Sequence, residues 1–262
     1  MLGNNRRGVI LWDRDRHLLR ELAVMRVIDR EQAKRVAGFG STRRANDRLL
    51  RLTQAKLLRR FFLGTKNGGQ KALYALSPTG ANVAQVTFRS LRRTQNKVLV
   101  ADFFVAHQLS INEIYCAVKY APIPVPDARL QRWVSFHEPL EPGIRLIPDG
   151  YFELVAPQKI LAAFLEADLG HEGLSVWKAK VRNYLQYAVS GNFEKRFGQP
   201  QFRVLVVTDS ERRMQSLRAA TASLTEKIFW FSTFDSIATH GFWSSVWLRV
   251  NDERHQCLVS LP

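Results

Sequence analysis

Basic side chains are concentrated in the first part of this chain. Residues 1–100 contain 22 lysines and arginines but only 6 acidic residues, whereas residues 101–262 contain 17 of each. No aspartate or glutamate occurs between Asp47 and Asp102. A basic surface that is confined to one segment attracts polyanions, chiefly nucleic acid or an anionic membrane. We therefore expect a basic part that holds a polyanion and a neutral part with another task.

The composition excludes several classes of protein. Hydrophobic residues make up 46% of the chain, which is enough for a folded core. No run reaches the roughly 18 apolar residues of a membrane-spanning helix, and the segment Met1–Arg7 has no apolar signal core. Cys116 and Cys257 are too few for a disulfide framework. The histidines form no H-x-H or H-x-x-x-H pair, so we expect no zinc site of that kind. These features favour a soluble, intracellular protein.

The basic segment has the pattern of three short helices. Apolar residues recur at helical spacing between residues 12 and 28. Asp29 is a suitable N-cap for a second helix over residues 31–36, and Ser41 or Thr42 is suitable for a third that ends near Leu52.

A hairpin pattern follows the third helix. Residues 57–63 are strand-like, Asn67-Gly68-Gly69 is a strong turn signal, and residues 72–76 form the expected return strand. Three short helices and a two-stranded hairpin are typical of a winged helix-turn-helix, in which the third helix enters the major groove of DNA.

The basic residues coincide with the elements that would touch DNA. The third helix carries Arg43, Arg44, Arg48 and Arg51, and we expect the first three of these to contact the groove. Contacts with phosphates are expected from the hairpin residues Arg59, Arg60, Lys66 and Lys71. The alternative is a solvated basic face on an ordinary small domain.

The rest of the chain predicts a second domain with an α/β core. After the basic segment 89–97, a linker or linking helix, a helical pattern covers residues 98–118. Strands are expected at 130–137, 145–154 and 159–168, and two further strands alternate with helices up to residue 234. The expected organisation is therefore a winged helix in residues 1–88, a linker in 89–97 and an α/β domain in 98–262.

Carboxylates occur at the ends of two neighbouring strands. Asp149 follows Pro148, and Glu166 and Asp168 share one strand face because they lie two residues apart. Such oxygen ligands suit Mg²⁺ or Mn²⁺. A lysine nearby would stabilise the charge on a phosphate, and the following helix offers Lys178 and Lys180. These two lie about 200° apart around the helix, and the apolar stripe of that helix does not decide between them.

These residues carry a resemblance to known nucleases. Pro148-Asp149 and the later Glu166-x-Asp168 look like a PD-(D/E)XK core, with an acid where the pattern has lysine. Asp149-Gly150, the segment 164–172 and Lys180-Val181-Arg182-Asn183-Tyr184 resemble the replication-relaxation family of mobile elements, which includes the MobC-type mobilisation relaxases. Trp133, Glu138 and Arg145 also fit that pattern.

The resemblance implies a winged helix joined to a restriction-endonuclease-like α/β core. It implies that Lys180 replaces the missing lysine and that the protein is a cytoplasmic bacterial relaxase. Such a protein would nick one strand of duplex DNA at a transfer origin during plasmid or integrative-element mobilisation. It would work with relaxosome accessory and coupling proteins and without membrane insertion.

Several alternatives stay open at the level of sequence. Glu166-x-Asp168 is also compatible with a solvated strand end. Tyr184 is either a core aromatic or a nucleophile that forms a phosphotyrosine link. Glu113, on the helix before the sheet, is a further candidate acid. A non-catalytic transcription or replication regulator with a degenerate nuclease-like domain is the alternative to the metal-dependent endonuclease.

Overall fold

The chain divides into two compact units. The computed structural model describes residues 9–64, 68–89, 99–157 and 159–259, and in them the protein has mixed α/β structure with two sheets. The units are Met1–Cys116 and Ala117–Pro262. This division lies further along the chain than the linker expected at residues 89–97, most of which is outside the described residues.

The first unit consists of short helices around a small antiparallel sheet. Its elements are α1 (Asp13–Met25), β1 (Val27–Asp29), α2 (Arg30–Ala37), α3 (Thr42–Gln54), β2 (Leu58–Gly64), β3 (Gln70–Leu76), α4 (Pro78–Ala84) and the first part of α5 (Leu99–Tyr120). The sheet has the order β1-β3-β2. The three helices and two hairpin strands expected from the sequence are present. The strand β1 is a difference, because its residues 27 and 28 were expected to end the first helix.

Local hydrogen bonds explain where these helices begin and end. The Asp29 carboxylate accepts a hydrogen bond from the Gln32 amide, and the Gln32 side chain in turn accepts one from the Asp29 amide, which forms a capping box. α2 ends at Ala37, and its C-cap is Gly38, whose φ of 62° is in the left-handed region. The Ser41 hydroxyl then caps α3 by accepting a hydrogen bond from the Arg44 amide.

The first part of α5 belongs to the first unit because its side chains bind that unit's backbone. Asn112 donates hydrogen bonds to the carbonyls of Met25 and Val27. Gln32 donates to the Leu109 carbonyl, and Leu109 packs with Val27 in a small apolar cluster. These contacts place the division within α5 rather than before it.

The second unit has one mixed sheet covered by helices. After α5 its elements are β4 (Arg129–Val134), β5 (Gly150–Ala156), β6 (Lys159–Asp168), α6 (Leu174–Val189), α7 (Asn192–Phe197), β7 (Arg203–Thr208), α8 (Glu211–Ala222), β8 (Phe229–Thr233), α9 (Phe234–His240) and β9 (Leu248–Arg249). The sheet order is β4-β5-β6-β7-β8-β9, with β6, β7 and β8 parallel and the other pairs antiparallel.

β6 is the strand on which the packing of this unit depends. Its last eight residues are all buried, as expected for a strand with both faces covered. On one face Phe164 packs against Tyr151, Tyr184 and Phe202 at ring-centroid distances of 5.0, 5.7 and 4.9 Å. This aromatic layer attaches α6 to the sheet.

Four details of the second unit differ from the sequence expectation. The strand expected from residue 145 begins at Gly150, and α7, α9 and β9 were not expected. No helix within the described residues combines the length and apolar character needed to cross a bilayer.

Candidate functional site

Glu166 is a buried carboxylate near the end of β6. Only 2% of the residue is exposed. The Tyr184 hydroxyl donates a hydrogen bond of 2.5 Å to its Oε1 atom, and Lys180 Nζ donates one of 2.9 Å to Oε2. Both oxygens therefore have a partner, as a buried carboxylate requires.

Asp149 lies beside Glu166 because of the strand register. β5 and β6 pair so that Gly150 is opposite Leu165, which places residue 149 opposite residue 166. The Asp149 carboxylate accepts a hydrogen bond of 2.7 Å from the Ala167 amide and stays partly exposed. Glycine is needed at position 150, since a Cβ atom there would lie 2.8 Å from the Trp133 ring.

Lys180 reaches Glu166 because of the way α6 packs. The residues of α6 that are buried are Trp177, Val181, Tyr184 and Tyr187. The apolar stripe expected from the sequence pattern consists of Leu174, Trp177, Val181, Leu185 and Ala188. It differs from the buried set, because Leu174 and Ala188 are exposed. The actual stripe turns the helix so that Lys180 and Tyr184, four residues apart, meet the same carboxylate. Lys178 lies about 200° away from Lys180 around the helix.

The charges of this site shift one another's pKa. Burial raises the pKa of Glu166 to about 7, although Lys180 acts to lower it, and the negative charge of Asp149 adds to the rise. Burial acts to lower the pKa of Lys180, but the surrounding carboxylates of Glu166, Glu172 and Asp149 raise it above its ordinary value. Burial and the Glu166 charge also raise the pKa of the Tyr184 hydroxyl well above its ordinary value.

Asp168 is held by an arginine. Arg213 donates to both of its carboxylate oxygens, at 2.8 and 2.7 Å, and the Gly170 amide donates to Oδ1 at 2.8 Å. Asp168 is 8% exposed. From the sequence we predict Asp168 to be a metal ligand with Glu166. In the structure both of its oxygens are engaged by a bidentate arginine pair, so its role as a ligand stays a prediction.

Asp149 and Glu166 are the other two carboxylates that the sequence analysis proposed as metal ligands. Within the described residues, no group of three or more His, Cys, Asp and Glu side chains is arranged to hold a metal ion. Asp149 and Glu166 alone still fit Mg²⁺, since this ion keeps several waters and is often bound through one or two carboxylates and substrate phosphates.

Arg48 does not face outward on α3. It donates to both carboxylate oxygens of Asp15, at 2.8 and 2.5 Å, and to the Ile10 carbonyl at 2.6 Å. The side chains of Arg48 and Asp15 are 8% and 0% exposed. The expectation that Arg48 contacts the DNA groove is therefore wrong, because this guanidinium is part of the interior of the first unit.

The other basic residues remain at the surface. Among the residues that the sequence analysis assigned to DNA binding, Arg43, Arg44, Arg51, Arg59 and Arg60 are exposed. The Lys71 side chain is 46% exposed and forms an ion pair with Asp29. Lys66 lies outside the described residues.

The two further candidate acids, Glu113 and Glu138, are not among the contacts of Glu166 described above. The Glu113 carboxylate accepts hydrogen bonds from Gln32 and Arg35 within the first unit, and its role as a further acid of the site stays a prediction. Glu138 is exposed in the loop before β5, where it lines a surface depression with Glu141 and Arg145.

Two residues of the site had no assigned role in the sequence analysis. Glu172 lies 3.2 Å from Lys180 Nζ and belongs to the segment that carries the family resemblance, which was the available signal. Arg213 is 45 residues from Asp168. No local pattern marks a contact at that separation.

The chain was compared with known proteins. Residues 19–200, most of the chain, match the model of the replication-relaxation family. Comparisons with curated proteins and with solved structures gave no significant match. The family match includes Asp149, Glu166 and Lys180 and confirms the resemblance noted in the sequence. The chain therefore belongs to the replication-relaxation family, which indicates a relaxase-like role in replication or mobilisation.

Proposed function

We propose that this protein binds a duplex DNA site and nicks one strand there in a metal-dependent reaction. The observation that supports it most is the contact of Lys180 with Glu166 beside Asp149. A lysine next to two carboxylates, at the ends of neighbouring strands, is the group of side chains expected of a PD-(D/E)XK-like nuclease. Here the lysine comes from α6, which compensates for the acid at position 168.

The residues of this site have distinct roles in the proposal. Asp149 and Glu166 would hold Mg²⁺ or Mn²⁺, and such an ion usually keeps several waters and also binds substrate phosphates. When bound, such an ion supplies positive charge at the phosphate and activates water. Lys180 moves from Glu166 towards the phosphate and stabilises its developing negative charge. Tyr184 keeps Glu166 in place through its 2.5 Å hydrogen bond, and its burial disfavours a role as nucleophile.

The first unit supplies the DNA-binding surface in this proposal. We infer that it is a winged helix in which α3 enters the major groove and the β2–β3 hairpin lies along the backbone. Arg43, Arg44 and Arg51 are the exposed arginines of α3, while Arg59 and Arg60 are exposed on β2. Because carboxylates repel phosphates, the neutral second unit depends on this basic surface to bring DNA to it. A transfer origin is the proposed site, with relaxosome and coupling proteins as partners.

A nicking assay on supercoiled DNA with the cognate site tests the activity. We expect Asp149→Asn, Glu166→Gln and Lys180→Met each to lower the nicking rate at least about a hundredfold, as for groups that contact the reacting atoms. Lys178→Met on the same helix and Glu211→Gln on α8 are matched controls and should nick at the wild-type rate. Wild-type rates for both carboxylate variants would contradict the nuclease proposal.

A second candidate function is a DNA-binding regulator that does not cut. The observation in its favour is that Glu166 and Asp168 have all four oxygens engaged by the protein's own side chains and amides. Calorimetric titration with Mn²⁺ distinguishes the candidates. Binding that is lost in Asp149→Asn supports the nuclease, and the absence of such binding supports the regulator.

A further inference from the structure

Phe62 is an exposed aromatic residue on the β2–β3 hairpin. The residue is 53% exposed. Its neighbours Phe61 and Leu63 pack against the buried cluster of Val27, Leu73 and Leu109, as expected for side chains on the opposite face of the strand. One face of the hairpin is therefore attached to the first unit, and Phe62 is on the other.

A basic side chain lies beside the exposed ring of Phe62. Arg60 lies on the same strand face, with its guanidinium carbon 5.0 Å from the centre of the Phe62 ring. Across the sheet Phe62 pairs with Ala72, a small residue that leaves the ring accessible from the side. The described residues of the two hairpin strands include no acid, and Asp29, which forms an ion pair with Lys71, is only 3% exposed. A polyanion meets no accessible negative charge from these residues.

We propose that the Phe62–Arg60 pair is a stacking platform for an unpaired base of single-stranded DNA. The proposal rests on the DNA-binding function proposed above for the first unit. A phenylalanine ring has no group that could bind a phosphate or read a base edge, so its contribution is its apolar face. In a duplex the faces of the bases are covered by their neighbours, whereas an unpaired base can stack on an aromatic ring or a guanidinium plane.

The position of Arg60 adds a second contribution to such binding. Its guanidinium holds the ring in place by a cation–π contact and remains exposed, so it can also pair with the adjacent phosphate. The hairpin would then bind the strand that is unpaired around a nick, while α3 holds the neighbouring duplex.

The test measures the binding of the full chain to two probes. One is a single-stranded oligonucleotide with 2-aminopurine at one position, and the other is the duplex of the same sequence. We expect Phe62→Ala to weaken single-strand binding by about five- to a hundredfold and to reduce the quenching of 2-aminopurine. Duplex affinity should change less than about twofold, since phosphate contacts dominate there.

Control variants separate stacking from general effects. Phe62→Tyr should bind the single strand as wild type does, because it retains the ring. Ile160→Ala removes a side chain of a residue that is 44% exposed in the second unit and should change neither affinity. Equal losses for both probes in Phe62→Ala, or no loss for the single strand, would overturn the platform. If wild type bound neither probe, the DNA-binding function itself would fail.

Discussion

Each unit of this protein contains a buried pair of opposite charges, and the two pairs differ in how completely they are satisfied. In the first unit Arg48 bonds both oxygens of Asp15 and one backbone carbonyl, and the Asp15 carboxylate also accepts from the Trp12 amide. In the second unit Lys180 touches only one oxygen of Glu166 and is also within 3.3 Å of Glu172.

The difference indicates which pair has a structural role. The Arg48–Asp15 pair is closed, because its groups have fixed partners and almost no contact with water. The Lys180 side chain is 21% exposed and has a second carboxylate to move to. A cation that can exchange partners is suited to meet a phosphate, whereas one that cannot exchange them stabilises the fold.

The largest expected effect is the loss of the closed pair. Arg48→Met leaves the Asp15 carboxylate buried without its cation, so we expect the free energy of unfolding of the first unit to fall by about 3–5 kcal/mol. The exposed Arg51→Met on the same helix should stay within about 0.5 kcal/mol of wild type. Urea unfolding measures both. Similar midpoints for the two variants would remove the distinction between buried and surface arginines on α3.

The Asp168–Arg213 pair extends the comparison to a second closed pair. Arg213→Met should lower the free energy of unfolding of the second unit by about 2–4 kcal/mol, less than Arg48→Met because Arg213 keeps more contact with water. Its neighbour Arg212 is exposed, so Arg212→Met is the matched control. If Arg213→Met left stability unchanged, Asp168 would again be a candidate for an exchangeable ligand.

Two tyrosines of α6 test how tightly Glu166 is held. Tyr184→Phe removes the hydrogen bond to a charged group, and we expect a loss of about 1.5–3 kcal/mol in unfolding free energy. The Tyr187 hydroxyl is buried without a hydrogen-bond partner of ordinary geometry among the described residues. Tyr187→Phe should therefore be neutral or slightly stabilising. Equal thermal midpoints for the two variants would argue that Tyr184 does not position Glu166.

The last expected effect is a difference in pH dependence between wild type and Glu166→Gln. The folded-state pKa of Glu166 is raised to about 7 from its ordinary 4.5, so the folded protein takes up a proton more readily than the unfolded chain. Its contribution to stability is complete below the unfolded pKa and is lost as the pH rises through about 7. Glu166→Gln should lack this decline between about pH 5 and pH 8. Parallel stability curves for wild type and variant would contradict the raised pKa.

Some features of the structure were predictable because they depend on nearby residues. Asp29 and Ser41 have side chains that cap helices, and each caps the helix that follows it. The turn residues between the two hairpin strands predicted antiparallel pairing of β2 with β3. The long apolar run of β6 predicted a central strand with both faces covered.

Other features were not predictable because competing patterns were nearly equal. Residues 27 and 28 fit the end of the first helix, but pairing with β3 makes them a strand. On α6, two overlapping faces are apolar enough to pack against the sheet. One includes Leu185 and Ala188, and the other includes Tyr184 and Tyr187. Packing of the tyrosines against Phe164 selects the second, and that choice also decides which lysine meets Glu166.

The sequence by itself determined the separation of a basic part from a neutral part, the helices and strands with strong local signals, and the carboxylates of interest. Only the tertiary structure decided the partner of each charge. In the structure Arg48 forms an ion pair with Asp15, Lys180 with Glu166 and Arg213 with Asp168. The physical reason is that strand register and helix rotation bring these groups together across 14 to 45 residues of chain, whereas caps, turns and apolar periodicity act over only a few residues.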